Sequence, residues 1–336
     1  MKTTAAASAA ASAAASGTQD LILHHFDASP FAEKVRLILG FKGLAWRSVQ
    51  IPMAMPKSDV VALTGGYRKT PLLQIGADIY CDTALIARVL DGIGDGLDDG
   101  SADGPGGGAT LYPAAAPLAS TFAQWADWQL FWTVVEFSAQ PVVLEHRWRG
   151  IPAGQIMALY ADRALFRASV PRRAAVDAAA DLAAMLAALD AQLTDGRRWL
   201  FGPPSIADFA VAHSIWHLRR GGPLAEALLA PFAPLRAWHD GMLSLGHGRP
   251  CPLDSSEALA IAAAAAGHAP CEVIAGVGFD AGQTVSVAAT DYGTEPVVGK
   301  LVGLSAAEVV VERHDARAGT LHVHFPRHGF EVKPAG

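Results

Sequence analysis

Ser29-Pro30 stands where a strand-like run, Leu21 to Phe26, passes into a stretch with Phe31, Val35 and Ile38 at helical spacing. Serine is a good N-cap, and proline fits the first helical turn. A side chain at such a junction faces free backbone N–H groups and the positive end of the helix dipole. An anionic sulfur is favoured beside it. Two more polar groups come later in the chain: Lys69-Thr70-Pro71, ahead of Leu72-Leu73-Gln74, and Asp82-Thr83, opening a second helix-like run. An acid and a hydroxyl at a helix start suit a ligand with one ammonium and one carboxylate. The plainer alternative is that Ser29 and Asp82-Thr83 are helix caps and nothing more.

These groups need a β-α-β-α-β-β-α frame to hold them. Val49-Gln50-Ile51 continues as a second strand, and Ser58 to Leu63 suits a short helix. Leu72 to Ile75 and Asp78 to Tyr80 flank Gly76-Ala77 as a hairpin, and Thr83 to Leu90 is helical.

Taken together, the ordered set resembles the glutathione S-transferase superfamily. Ser29-Pro30-Phe31-Ala32 is similar to the S/C-P-F-A segment of the tau and omega classes, which puts Ser29 at the catalytic serine or cysteine position. Thr70-Pro71 resembles the family's X-cis-Pro, whose backbone meets the cysteinyl part of glutathione. Asp82-Thr83 resembles the Glu/Asp-Ser pair that holds the γ-glutamyl group, and Lys69 lies where tau-like members carry a lysine near the glycine carboxylate. The resemblance implies that Ser29 donates a hydrogen bond to the glutathione sulfur and lowers its pKa. Cysteine at this position would favour mixed disulfides and thiol transfer; serine favours conjugation, or a related glutathione-dependent addition, isomerisation or peroxide reduction. Cys81, next to the site in sequence, is expected in the core as a small hydrophobe.

Downstream, helical spacing governs the chain. Phe122, Trp125, Trp128 and Trp132 recur at three- and four-residue steps, and Ala174 to Leu193 is an Ala/Leu-rich helix. Ser205 and Asp208 have capping-box spacing, resembling the S-x-A-D start of the family's buried central helix. An electrophile pocket built from Phe31, Trp125, Trp128 and Trp132, with Phe131 beside them, is one reading of the aromatic stripe; core packing is the other.

After about Asp254 the pattern changes. Beyond an Ala-rich helix, Glu257 to Ala266, come five short strand-like runs: Thr284–Ala288, Val297–Val302, Glu308–Arg313, Leu321–Phe325 and Phe330–Val332. Asp291-Tyr292-Gly293 marks a turn among them. His322 and His324 lie on one face of their strand. Alternation with Leu321, Val323 and Phe325 suggests a half-buried strand with its polar face in solvent. With no carboxylate or cysteine at matching spacing, no metal is expected.

The expected organisation is thus a disordered Ala/Ser tail (1–19), a thioredoxin-like glutathione-binding α/β domain (20–91) and a Gly/Asp-rich linker (92–113). An all-α domain (114–250) and a small β-barrel-like module (254–336) complete it. The tail lacks the Leu/Val density of a signal peptide. A net charge of −6 over 336 residues argues against nucleic acid or an anionic membrane as partner, and no apolar run is expected to span a bilayer. Three irregularly spaced cysteines form neither a disulfide framework nor a zinc site, which suits a reduced, cytoplasmic setting. The implied activity is a homodimeric glutathione transferase acting on a hydrophobic small molecule, with glutathione as co-substrate. A non-catalytic ligand-binding or protein-interaction scaffold is the rival, and a glutathione-dependent thiol-disulfide reductase a third reading.

Overall fold

The computed structural model describes residues 20–93, 108–168, 170 and 173–335. The tail at 1–19 and residues 94–107 of the linker lie outside them. Strands β1 (Leu21–His25), β2 (Ala45–Gln50), β3 (Leu72–Ile75) and β4 (Asp78–Cys81) alternate with α1 (Pro30–Phe41), α2 (Ser58–Thr64) and α3 (Thr83–Ile93) in the thioredoxin-like order. β1 runs parallel to β2 and antiparallel to β3, and β3 pairs antiparallel with β4. Because strand side chains alternate in direction, this sheet feeds two cores. Leu21, Leu23, Leu73 and Tyr80 join the core shared with the helices. Ile22, Leu72, Ile79 and Cys81 join a second core on the opposite face. Cys81 is the expected core thiol, and burial pushes its pKa well up.

The helical region comprises α4 (Ala119–Trp125), a π-helical turn at Ala126–Leu130, α5 (Phe131–Phe137), α6 (Pro141–Arg147), α7 (Ala153–Phe166), α8 (Ala175–Gln192), α9 (Ile206–Arg219), α10 (Pro223–Leu229) and α11 (Ala233–Leu243). α9 is the buried centre, and its start carries the expected capping box at Ser205 and Asp208. One Asp208 oxygen accepts from the Leu200 N–H at 2.7 Å and the other from the Ser205 N–H at 2.9 Å.

A strand not anticipated from the sequence, β5 (Arg249–Pro252), runs parallel to β2 at the far edge of the sheet. Helix α12 (Ser255–Ala264) then leads to β6 (Thr284–Ala289), β7 (Val297–Leu304), β8 (Glu308–Asp315), β9 (Gly319–Pro326) and β10 (Phe330–Pro334), matching the five expected runs. β10 pairs with β6, at the opposite end of the row from β9, yet only Arg327-His328-Gly329 separates β9 from β10. So short a link requires the row β10-β6-β7-β8-β9 to curl, which gives the barrel-like module. The module also joins the first domain, because β9 pairs in parallel with the edge strand β4. All ten strands among the described residues thus form one continuous sheet.

This junction corrects the reading of His322 and His324. Their face is not in solvent: both are buried, the His268 ring stacked on His322 and the ring of Tyr80, in the adjoining strand β4, stacked on His324. A carboxylate invisible at local spacing is supplied from across the sheet, since Asp78 lies opposite His322.

Candidate functional site

Ser29 sits at the N-cap of α1 in extended backbone, and its Oγ accepts from the Ala32 N–H at 3.2 Å. A hydroxyl that accepts there keeps its own proton to donate, so capping and sulfur binding are compatible. Thr70-Pro71 is a cis peptide bond. Asp82 has φ +74°, a left-handed conformation that costs an ordinary L-residue ~1–2 kcal/mol and that Asp tolerates better than most. Its Oδ1 accepts from the Ala84 N–H at 2.9 Å, capping α3, and burial raises its pKa while nearby Lys69 opposes that shift. Ser29, Lys69, Thr70, Pro71, Asp82 and Thr83 all line one cavity of about 1590 Å³ between the thioredoxin-like sheet, the helices and the appended module.

Behind this wall lies a network that sequence reasoning missed. Lys34 is fully buried; its Nζ donates to Thr83 Oγ1 at 3.3 Å and pairs with Asp127 Oδ2 at 2.5 Å. The other Asp127 oxygen meets His213 Nε2 at 2.9 Å. Burial alone would raise the Asp127 pKa, but Lys34 and His213 hold it below the usual value. Burial also keeps His213 below its ordinary pKa, against the pull of Asp127. A signal did exist: Lys34 lies three residues from Phe31 and four from Ile38, inside the apolar stripe of α1. A lysine there needs a buried partner.

The aromatic stripe divides. Phe31, Phe131, Trp128 and Trp132 line the cavity, with the Phe31 and Phe131 rings 4.7 Å apart. Trp125 does not line it. It packs on the helical core with Phe122, ring centroids 4.9 Å apart. The π-helical turn after Trp125 accounts for this correction. One extra residue in a helical turn rotates the downstream helix by about 100° relative to the upstream one. Trp132, seven residues on, therefore leaves the face Trp125 occupies.

The largest departure from expectation comes from the module. Lys69, expected beside a ligand carboxylate, instead pairs with Asp291 Oδ1 at 2.5 Å and lies 4.2 Å from the Tyr292 ring centroid. The Tyr292 ring stands 5.1 Å from Trp132, 5.1 Å from Phe166 and 6.3 Å from Trp128. Gly293 completes the turn at φ +58°, its N–H donating to the Phe166 carbonyl at 3.1 Å. A Cβ at this position would lie 2.5 Å from the Phe166 ring, so glycine is required by both conformation and space. Arg68 fastens the same corner by pairing with Asp162 of α7 and with Glu295. The turn between β6 and β7 thus forms part of the cavity wall.

Comparison with known proteins agrees with this architecture. Residues 23–96 match the glutathione S-transferase N-terminal domain, and residues 158–241 match the C-terminal domain. A GST-like protein from Pseudomonas syringae is 39% identical, with a TM-score of 0.75. The match covers 95% of this chain and 100% of that one, so it takes in the appended strands. A glutathione S-transferase from Rhodospirillum rubrum is 20% identical over 67% of this chain and 88% of its own, with a TM-score of 0.46. No curated protein sequence matches the chain. The chain belongs to the glutathione S-transferase superfamily, with a strand-rich module added after the helical domain.

Proposed function

We propose that this protein is a glutathione transferase in which Ser29 activates the glutathione thiol for attack on a hydrophobic electrophile. The observation that carries the reading is Ser29 itself: a buried hydroxyl at the N-terminus of α1, on the wall of the shared cavity. A thiol with a pKa near 8.5 is only a few per cent ionised at neutral pH. The Ser29 O–H and the α1 dipole favour the anion. The thiol proton passes to solvent. The sulfur lone pair then forms a bond to an electrophilic carbon while the bond from that carbon to its leaving group breaks and the group departs with the electron pair. Thr70 and Pro71 are assigned to the cysteinyl part of the tripeptide, Asp82 and Thr83 to its γ-glutamyl end, and Lys69 to its glycine carboxylate. Phe31, Trp128 and Trp132 are assigned to the electrophile. A homodimer in the cytoplasm is the expected setting; among the described residues no helix is long and apolar enough to cross a membrane.

One observation favours the scaffold reading: Asp291 and Tyr292 already engage Lys69. Serine at position 29 argues against the reductase. Calorimetric titration with glutathione, followed by a conjugation assay on the bound thiol, separates the first two. A transferase binds glutathione, and Asp82→Ala weakens binding at least tenfold. A chain that shows no heat of binding at millimolar glutathione is a scaffold.

A further inference from the structure

We propose that Asp78, His268 and His322 form a binding site for one divalent transition-metal ion of the zinc class, which staples the appended module to the thioredoxin-like sheet. The three residues come from separate pieces of the chain. Asp78 is in β4, His322 is opposite it in β9, and His268 is in the connection between α12 and β6. Asp78 Oδ1 lies 3.9 Å from His268 Nδ1 and 4.0 Å from His322 Nδ1, and the three ligand atoms fall within 4.8 Å of one another. Ligands on a tetrahedral ion with bonds of ~2.0–2.1 Å stand roughly 3.4 Å apart, so closure draws the three atoms together and turns the two imidazoles until both ring planes contain the ion.

Several features point to a shared cation. Both Nδ1 atoms stand near one carboxylate oxygen, and the rings that carry them, now stacked with centroids 3.7 Å apart, must tilt out of that stack to share an ion. His268 Nδ1 is buried, with no hydrogen-bond partner among the described residues. Such an orphaned nitrogen costs free energy unless something occupies the space before it. The carboxylate is already oriented: Oδ2 accepts from the Ala269 N–H at 2.9 Å, and Oδ1 meets His324 Nε2 at 2.8 Å. Glu312 Oε2 stands 3.9 Å from the other nitrogen of His322, the direction from which outer carboxylates steady metal-bound imidazoles. Cys271 Sγ stands 4.0 Å from His322 Nδ1. Two imidazoles, a carboxylate and a nearby sulfur suit zinc better than calcium or magnesium. The imidazoles coordinate through unprotonated nitrogens, and if the sulfur joins, its proton passes to solvent.

The connection itself supplies a reason for a staple. Between α12 and β6 it carries no regular element beyond a single bridge at Val273, an unusual length of chain to hold by packing alone.

The test uses the full chain, freed of metal by a chelator and then titrated with Zn2+ by calorimetry and with Co2+ by visible absorption. The proposal predicts one equivalent bound, an intense tetrahedral Co2+ spectrum and a higher Tm with metal. His268→Ala, in the partly exposed connection, and His322→Gln each weaken binding at least tenfold, with circular dichroism confirming that both fold. A wild type that binds no metal at micromolar Zn2+ overturns the proposal. So does unchanged binding in both variants, which would mark adsorption elsewhere.

Discussion

Replacing Asp291 with alanine is expected to tighten glutathione binding, although no ligand contact is being added. In the free protein the Lys69 ammonium is held by Asp291 Oδ1 at 2.5 Å, and the same oxygen accepts from the Tyr292 N–H at 2.7 Å. A glycine carboxylate arriving at Lys69 must compete with that partner. A charge-assisted hydrogen bond contributes ~1.5–3 kcal/mol, but Asp291 keeps 35% of its side-chain exposure, so solvent screening reduces the figure. About 1 kcal/mol remains, a gain of roughly fivefold in affinity. The assay is calorimetric titration of wild type and Asp291→Ala with glutathione and with its glycine monoethyl ester. The gain should appear with glutathione and vanish with the ester, which has no carboxylate to offer Lys69. Weaker binding in the variant, or an equal gain for both ligands, would refute the competition argument.

The same geometry sets the outcome of three other substitutions. Ser29→Ala removes the α1 cap as well as the hydroxyl, and should lower the unfolding free energy in urea by ~1 kcal/mol. Gly293→Ala forces a Cβ to within 2.5 Å of Phe166 at φ +58°. It should cost ~1–3 kcal/mol in thermal unfolding and perturb tryptophan fluorescence as Tyr292 shifts against Trp128 and Trp132. Lys57 is buried, and burial, reinforced by Arg163, lowers its pKa to about 8. Its folded pKa lies below the unfolded value, so its charge opposes folding below pH ~8, and that opposition disappears as pH rises towards ~10.4. Lys57→Met should therefore be more stable than wild type by on the order of 3 kcal/mol at neutral pH, with the gap closing by pH ~10.4. A gap independent of pH would contradict this assignment.

Local pattern made the individual elements legible. Ser29-Pro30 announced the start of α1, Ser205 and Asp208 that of α9, and the alternating runs after Thr284 became β6 to β10. The pairing of distant segments lay beyond local pattern. His324 reaches Asp78 across 246 positions and Lys69 reaches Asp291 across 222. Each contact depends on β9 docking against β4, a choice of edge that neither strand's residues announce by alternation alone. The histidines of β9 therefore looked solvated, and Asp291-Tyr292-Gly293 looked like an ordinary turn. Trp125 escaped for a smaller reason: a single π-helical turn breaks the helical period that placed it in the stripe.

The central claim is that the site holds a glutathione thiolate beside Ser29. Its most direct measurement is the pH titration of thiolate absorbance for glutathione bound to wild type and to Ser29→Ala. The account predicts a bound thiol pKa ~1–2 units below the free value in wild type, returning towards it in Ser29→Ala while binding persists. Bound glutathione whose thiol titrates as it does in water, or identically in both proteins, would contradict it.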